Sequence, residues 1–121
     1  MKAKLAFLVA AVVASAALTL TGVAMAAPAE TTVTIKGPQG DFHGKVKSAK
    51  TSCVEERKVS VFKKKASGDK KIGSDTTGSD GAWSAGNTGF KNGRFYARAA
   101  KTNGCKAGTS KTIRLVDGEV Q

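Results

Sequence analysis

From Thr32 onward, apolar residues fall at every second position. Val33 and Ile35 point one way while Thr32, Thr34 and Lys36 point the other, and Phe42, Gly44 and Val46 alternate with His43, Lys45 and Lys47. The same period puts Val59 and Val61 on one face of the stretch 57–63. It groups Phe95, Ala97 and Ala99 within 94–99, and Ile113 with Leu115. Half-buried strands spaced roughly 10 to 20 residues apart, with Gly, Asp, Asn and Ser between them, predict a single antiparallel β-sandwich of about seven strands. The breaks agree with this. Lys36-Gly37-Pro38-Gln39-Gly40 separates the first two strands and Ala66-Ser67-Gly68-Asp69 makes a hairpin tip. Ser79-Asp80-Gly81 turns tightly before Trp83, and Asn92-Gly93 precedes the Phe95-Tyr96 strand. Nothing after residue 26 sustains a 3.6-residue period, so helix is expected to be nearly absent, with neither an internal repeat nor a second domain.

The first 26 residues follow another pattern. Lys2 and Lys4 precede an uncharged run from Leu5 to Leu20, and Ala24-Met25-Ala26 follows. Charge, apolar helix and small residues at −3 and −1 make this an export signal, cleaved between Ala26 and Ala27. The expected organisation is therefore a helical signal peptide over 1–26 and a β-sandwich domain over 27–121. The competing reading is an uncleaved anchor, because residues 5–27 are long enough to cross a bilayer core of roughly 30 Å. That run is alanine-rich and interrupted by Ser15, Thr19, Thr21 and Gly22, which weakens it as a permanent span. A lipid anchor would need a cysteine near the cleavage site, and the two present are Cys53 and Cys105. With no later apolar run, the mature chain is expected to be secreted, extracellular and without a membrane span.

Charge and cysteines sharpen the picture. Removing Lys2 and Lys4 from the 20 basic residues leaves 18 against nine acidic ones, a net +9 for the mature chain. A domain this small buries only ~60 to 65% of its unfolded surface, so a covalent staple would help it. Two cysteines in an exported chain make one intramolecular bridge, Cys53 to Cys105, the economical assignment. In the chain-entropy model such a loop contributes ~4 kcal/mol. There is no C-x-x-C redox motif, and the lone His43 cannot complete a zinc site with two distant cysteines.

The stretch from Gly44 to Ala99 resembles a transthyretin-like (prealbumin-like) β-sandwich of the carboxypeptidase-regulatory or Cna-B kind. The residues that carry the resemblance are Gly44-Lys45-Val46, Arg57-Lys58-Val59-Ser60-Val61-Phe62, Gly73-Ser74-Asp75-Thr76-Thr77 leading to Asp80-Gly81-Ala82-Trp83, and Gly93-Arg94-Phe95-Tyr96-Ala97-Arg98. The resemblance implies a turn between two strands at the Asp-Gly-aromatic step, with Gly81 at positive φ and Trp83 returning to the core. It also implies an accessory or cell-surface module rather than an enzyme. Two departures limit it. The last strand, Lys111 to Val116, has no Asn for a Lys-Asn isopeptide bond, and the signatures of thyroxine-type binding and ureide hydrolysis are missing.

No set of residues specifies a reaction. His43 lies among outward strand positions beside Lys45 and Lys47, and the adjacent Glu55 and Glu56 read as a loop pair rather than two acids across a cleft. Asp69, Asp75 and Asp80 lie near glycines. Their spacing does not match a calcium loop and no closing glutamate follows, so they read as turn residues capping their own backbone. No catalytic residue, metal or cofactor is expected. The functional lead is Lys63, Lys64, Lys65, Lys70 and Lys71, which bracket Ser67-Gly68-Asp69 and would attract a polyanion. The bland counterpart is that lysines blunt a sheet edge and keep a secreted protein soluble. Tyr96 between Arg94 and Arg98 could stack a base, but a single aromatic is not a platform, so nucleic acid is not an expected partner.

The expected protein is thus a monomeric, exported, non-enzymatic binding or structural module, with a cell-wall polymer, anionic glycan or surface protein as partner. A polyanion-binding module using the lysine hairpin is the alternative. A secreted hydrolase, or a protease inhibitor presenting Thr102-Asn103-Gly104, is the alternative of another class. Intact-mass measurement of the exported protein is expected to give a chain starting at Ala27 and two hydrogens lighter than its dithiol form; a full-length species held in membranes would contradict it.

Overall fold

The computed structural model describes residues 27–121, and the leader with Ala26 lies outside them. Nine strands follow in order: β1 (Thr32–Val33), β2 (Asp41–Lys47), β3 (Lys58–Lys63), β4 (Lys70–Thr76), β5 (Ala82–Asn87), β6 (Gly93–Ala99), β7 (Gly108–Thr109), β8 (Ile113–Val116) and β9 (Glu119–Val120). Three of these have only two residues, so six longer strands stand against the about seven expected. The only helical pieces among the described residues are 3-10 turns at Pro38–Gly40 and Thr51–Cys53. None of the described helices is long and apolar enough to cross a membrane.

The strands form two antiparallel sheets. The smaller runs β1-β2-β5; the larger runs β4-β3-β6-β8-β9, with β7 also on β6. β7 and β8 lie along the same side of β6. Between them, buried Ser110 replaces a ladder bond, its Oγ accepting the Ala97 N–H at 2.8 Å while its own N–H donates to Ala97 O at 2.8 Å.

The inward phase of each alternation makes one core. Val33, Ile35, Phe42, Val46, Val59, Val61, Trp83, Phe95, Ala97, Ala99, Ile113 and Leu115 are all buried. Each large side chain among them contributes roughly 1.5 to 3 kcal/mol by leaving water. Phe95 sits at the centre, with ring centroids 4.8 Å from Phe42 and 5.9 Å from Phe90. Gly81 adopts φ +84°, and a Cβ there would fall on the carbonyl oxygen of Val46, so the turn before Trp83 needs glycine on both counts. Gly44 is held by closeness instead. A Cβ on it would fall on Thr34 O and press against Trp83 Nε1.

β4 had no alternating signal. Ile72 is its only large apolar residue, and a bulge between Val61 and Phe62 shifts the β3–β4 register, with Val61 opposite Gly73 and Phe62 opposite Lys71. It is the edge of the larger sheet and carries the charges that such an edge tolerates. The gap between β4 and β5, where the two sheets meet, is bridged by Asp75, whose carboxylate accepts the Ser84 N–H at 2.8 Å.

At the opposite end, Arg57 is 1% exposed. Its Nη1 donates to Cys53 O at 2.7 Å and Thr31 Oγ1 at 3.0 Å, and its Nη2 donates to Ala100 O and Lys106 O, both at 2.9 Å. Burial works against the charged form and lowers its pKa from the ordinary arginine value. Beside it the expected bridge is present, with Cys53 and Cys105 buried and their Cα atoms 5.6 Å apart. Thr77, also buried, accepts the Arg57 N–H at 2.8 Å and donates to Val54 O at 2.7 Å. Ala29 pairs with this loop, its N–H donating to Gly104 O at 2.9 Å and its carbonyl accepting from Lys106 N at 2.8 Å.

Arg57→Ala is expected to lower stability by about 3 to 5 kcal/mol in urea unfolding, since it opens a cavity and strips donors from four acceptors. Arg57→Lys should recover little of this, because one ammonium cannot reproduce the guanidinium fork.

Candidate functional site

Strand alternation turns one set of side chains, most of them polar, outward from the larger sheet. On β6 these are Arg94, Tyr96 and Arg98, since Phe95, Ala97 and Ala99 point inward. On β3 they are Lys58, Ser60 and Phe62, and the register sets Ser60 opposite Arg98 and Phe62 opposite Tyr96. β8 adds Arg114, directly opposite Arg94, and β4 adds Lys71, opposite Phe62. Lys64 continues beyond β3, its N–H donating to Arg94 O at 2.9 Å. Lys58, Lys64, Lys71, Arg94, Arg98 and Arg114 therefore share one face.

Two aromatic rings stand among these cations. Phe62 and Tyr96 stack with centroids 5.4 Å apart and planes 20° from parallel, and the Lys64 ammonium lies 5.7 Å from the Tyr96 centroid. The Tyr96 hydroxyl donates to Asp69 Oδ2 at 2.6 Å. That hydrogen bond, ahead of desolvation, raises the Tyr96 pKa above 10.0. Tyr96 is thus a post that fixes Lys64 and the hairpin tip, not an open platform for a base.

Two shallow grooves flank Lys64. One, of about 650 Å³, is lined by Lys64, Asn92, Arg94, Arg114 and Val116 among others and has no carboxylate in its wall. The second, of about 270 Å³, includes Asp69, Tyr96, Arg98 and Thr109. Arg98 is braced there, its Nη1 donating to Thr109 Oγ1 at 3.1 Å.

The five hairpin lysines do not lie on one face. Lys64 and Lys71 belong to the outer face. Lys63 lies on the core side at the sheet's end, its ammonium 5.1 Å from the Phe90 centroid, and Lys70 is its cross-strand partner. Lys65 sits in the exposed tip, its N–H directed to Asp69 Oδ1 at 3.4 Å. The structure instead joins Lys64 to Arg94 and Arg114, two arginines that the hairpin reading left out. Their signal in the sequence was only that both hold the outward phase of strands ending near one another.

The other candidates are separate. His43 lies on the outer face of the smaller sheet, its Nδ1 3.0 Å from Asp41 O, and joins Lys36, Lys45 and Lys47 around a groove of about 490 Å³. Glu55 and Glu56 are exposed beside the disulfide turn. Each aspartate considered for calcium is engaged elsewhere. Asp69 accepts from Tyr96, Asp75 accepts from Ser84, and Asp80 accepts the Ala82 N–H at 3.0 Å. That last bond, with a smaller contribution from Lys45 at 3.8 Å, holds the Asp80 carboxyl below its usual range. Thr102 and Asn103 are exposed on a turn closed by reciprocal Thr102–Cys105 backbone bonds of 3.1 Å. No known protein-family model matches the chain, and no curated protein or solved structure is significantly similar to it.

Tyr96 is the only tyrosine, so its titration can be followed by absorbance. Its midpoint is expected above 10.0, and Asp69→Asn should bring it back toward that value. Because the folded-state pKa is raised, the Tyr96–Asp69 contribution to stability is complete at neutral pH and is lost as pH rises through the Tyr96 midpoint.

Proposed function

We propose that this chain is an exported, non-enzymatic β-sandwich module that binds a polyanion on the outer face of its larger sheet. The observation that carries the reading is the imbalance of charge on that face. Six cations share it with two carboxylates, Asp69, which accepts from Tyr96, and Glu119, the cross-strand partner of outward-facing Val116. Among the described residues the ion pairs within 4 Å are Lys45–Asp80 and Lys106–Glu30, and neither lies there. Uncompensated charge spread over a sheet raises the local concentration of an anionic polymer and speeds its capture.

The smaller sheet is a poorer candidate, since its outer face has fewer cations and Lys45 is partly neutralised by Asp80. The arginines favour the larger sheet further, because a guanidinium fork matches oxyanions better than an ammonium does. The buried staple and the Arg57 cluster suit a small domain working in an oxidising space, which supports an extracellular setting. The partner is a cell-wall polymer or anionic glycan; with Tyr96 covered by Phe62 and Lys64, base stacking adds little for nucleic acid.

Retention on immobilised heparin tests the reading. Changing Lys58, Lys71 and Arg98 to Gln should lower the eluting salt concentration well below that of a variant with Lys36, Lys45 and Lys47 changed to Gln, although both lose the same charge. Equal losses would reduce the face to part of a generally basic surface.

A further inference from the structure

Within that face, Arg94 and Arg114 break a rule of sheet construction. They are direct cross-strand partners on β6 and β8, a placement that brings Cβ atoms to about 4.5 to 5.5 Å and makes like charges destabilising. Lys64 lies on the other side of Arg94, tied to it by the 2.9 Å backbone bond, so three cations stand in a row across neighbouring chain segments. The wall of the 650 Å³ groove between them contains no acid, and neither of the described ion pairs reaches them. Glu119, diagonal to Arg114 across β8 and β9, is an acid on the same face but makes no ion pair within 4 Å with the row, so the repulsion kept there points to a ligand that supplies more negative charge.

We infer that Lys64, Arg94 and Arg114 form a seat for a phosphate monoester carried by the polyanion. The inference rests on the proposed function and names the group recognised at one point of that face. Three cations converge on one groove. A tetrahedral phosphate monoester offers three free oxygens and close to two negative charges, one oxygen for each cation. A carboxylate offers two oxygens and one charge, and leaves one of the three unmatched. Asn92, in the wall of the groove, accepts the Asp117 N–H on its Oδ1 at 3.0 Å and so braces the β8–β9 turn.

The test is NMR titration of the mature, disulfide-bonded protein at constant ionic strength with phosphorylated dextran, inorganic phosphate and polygalacturonate. Wild type, Arg114→Gln and, from the other sheet, Lys36→Gln are compared. Phosphorylated dextran is expected to shift the Arg94 and Arg114 side-chain signals, and Arg114→Gln to weaken its binding by about tenfold or more, while Lys36→Gln changes it less than about twofold. In low salt without ligand, Arg114→Gln is expected to melt above wild type, because the cross-strand repulsion is gone. Affinity for phosphorylated dextran unchanged in Arg114→Gln, or equal affinity for polygalacturonate, would overturn the seat while leaving a polyanion face held by Lys58, Lys71 and Arg98. Binding of inorganic phosphate as tight as that of phosphorylated dextran would overturn the polymer as its bearer. No response to any of the anions would remove both the seat and the face.

Discussion

The Arg57 guanidinium is the constraint on which the arrangement of segments depends. A cation taken out of water without a counter-ion must have its protons met by other acceptors, or its desolvation would be several kcal/mol against folding. Those acceptors come from four places in the chain: Thr31 before β1, Cys53 in the first turn of the bridge, Ala100 after β6 and Lys106 in the second. Satisfying one side chain therefore docks the start of the domain and sets the end of the central strand against the disulfide. Nε has no partner, so one N–H of the guanidinium stays unmet and the two terminal nitrogens carry all four bonds. The bridge and the guanidinium act on the same loop, which makes their contributions interdependent.

That clamp makes no use of the outer side chains of the larger sheet. Buried polar groups such as Thr77 and Ser110 are absorbed by backbone bonds, and the aspartates by turns, the sheet corner and Tyr96. Of the positive charges on the larger sheet, Arg98 is braced by Thr109 and Lys64 lies over Tyr96, while none is in an ion pair within 4 Å among the described residues. A face whose charges make few contacts that hold the domain together, and whose paired arginines work against it, fits a surface shaped by binding rather than by folding.

The alternation of apolar residues was enough for the all-β architecture, since inward and outward positions follow from a period of two wherever a strand forms. It also held the clue to Arg57, which keeps the phase of Val59 and Val61 and is buried with them, a consequence the alternation alone did not draw out. The β8–β9 hairpin is not predicted by the alternation, which makes Lys111 to Val116 the last strand, although its turn carries a local signal. Asp117 and Gly118 have φ of +52° and +83°, the conformation that an Asp-Gly pair is suited to adopt in a two-residue turn. β4 was harder to see because a bulged edge strand needs little apolar content.

Local pattern and covalent chemistry thus determined the class of fold, the bridge between Cys53 and Cys105, the glycine turn before Trp83 and the excess of positive charge. Which charges meet was decided by tertiary structure. Arg94 and Arg114 are 20 positions apart and become neighbours only through the β6–β8 register, as Phe62 and Tyr96 do through β3–β6. The hairpin lysines, adjacent along the chain, are divided because consecutive residues of a strand face opposite sides of the sheet. Nearness in sequence and nearness on a sheet surface are different quantities, and register, set by how whole strands bury their apolar faces, converts one into the other.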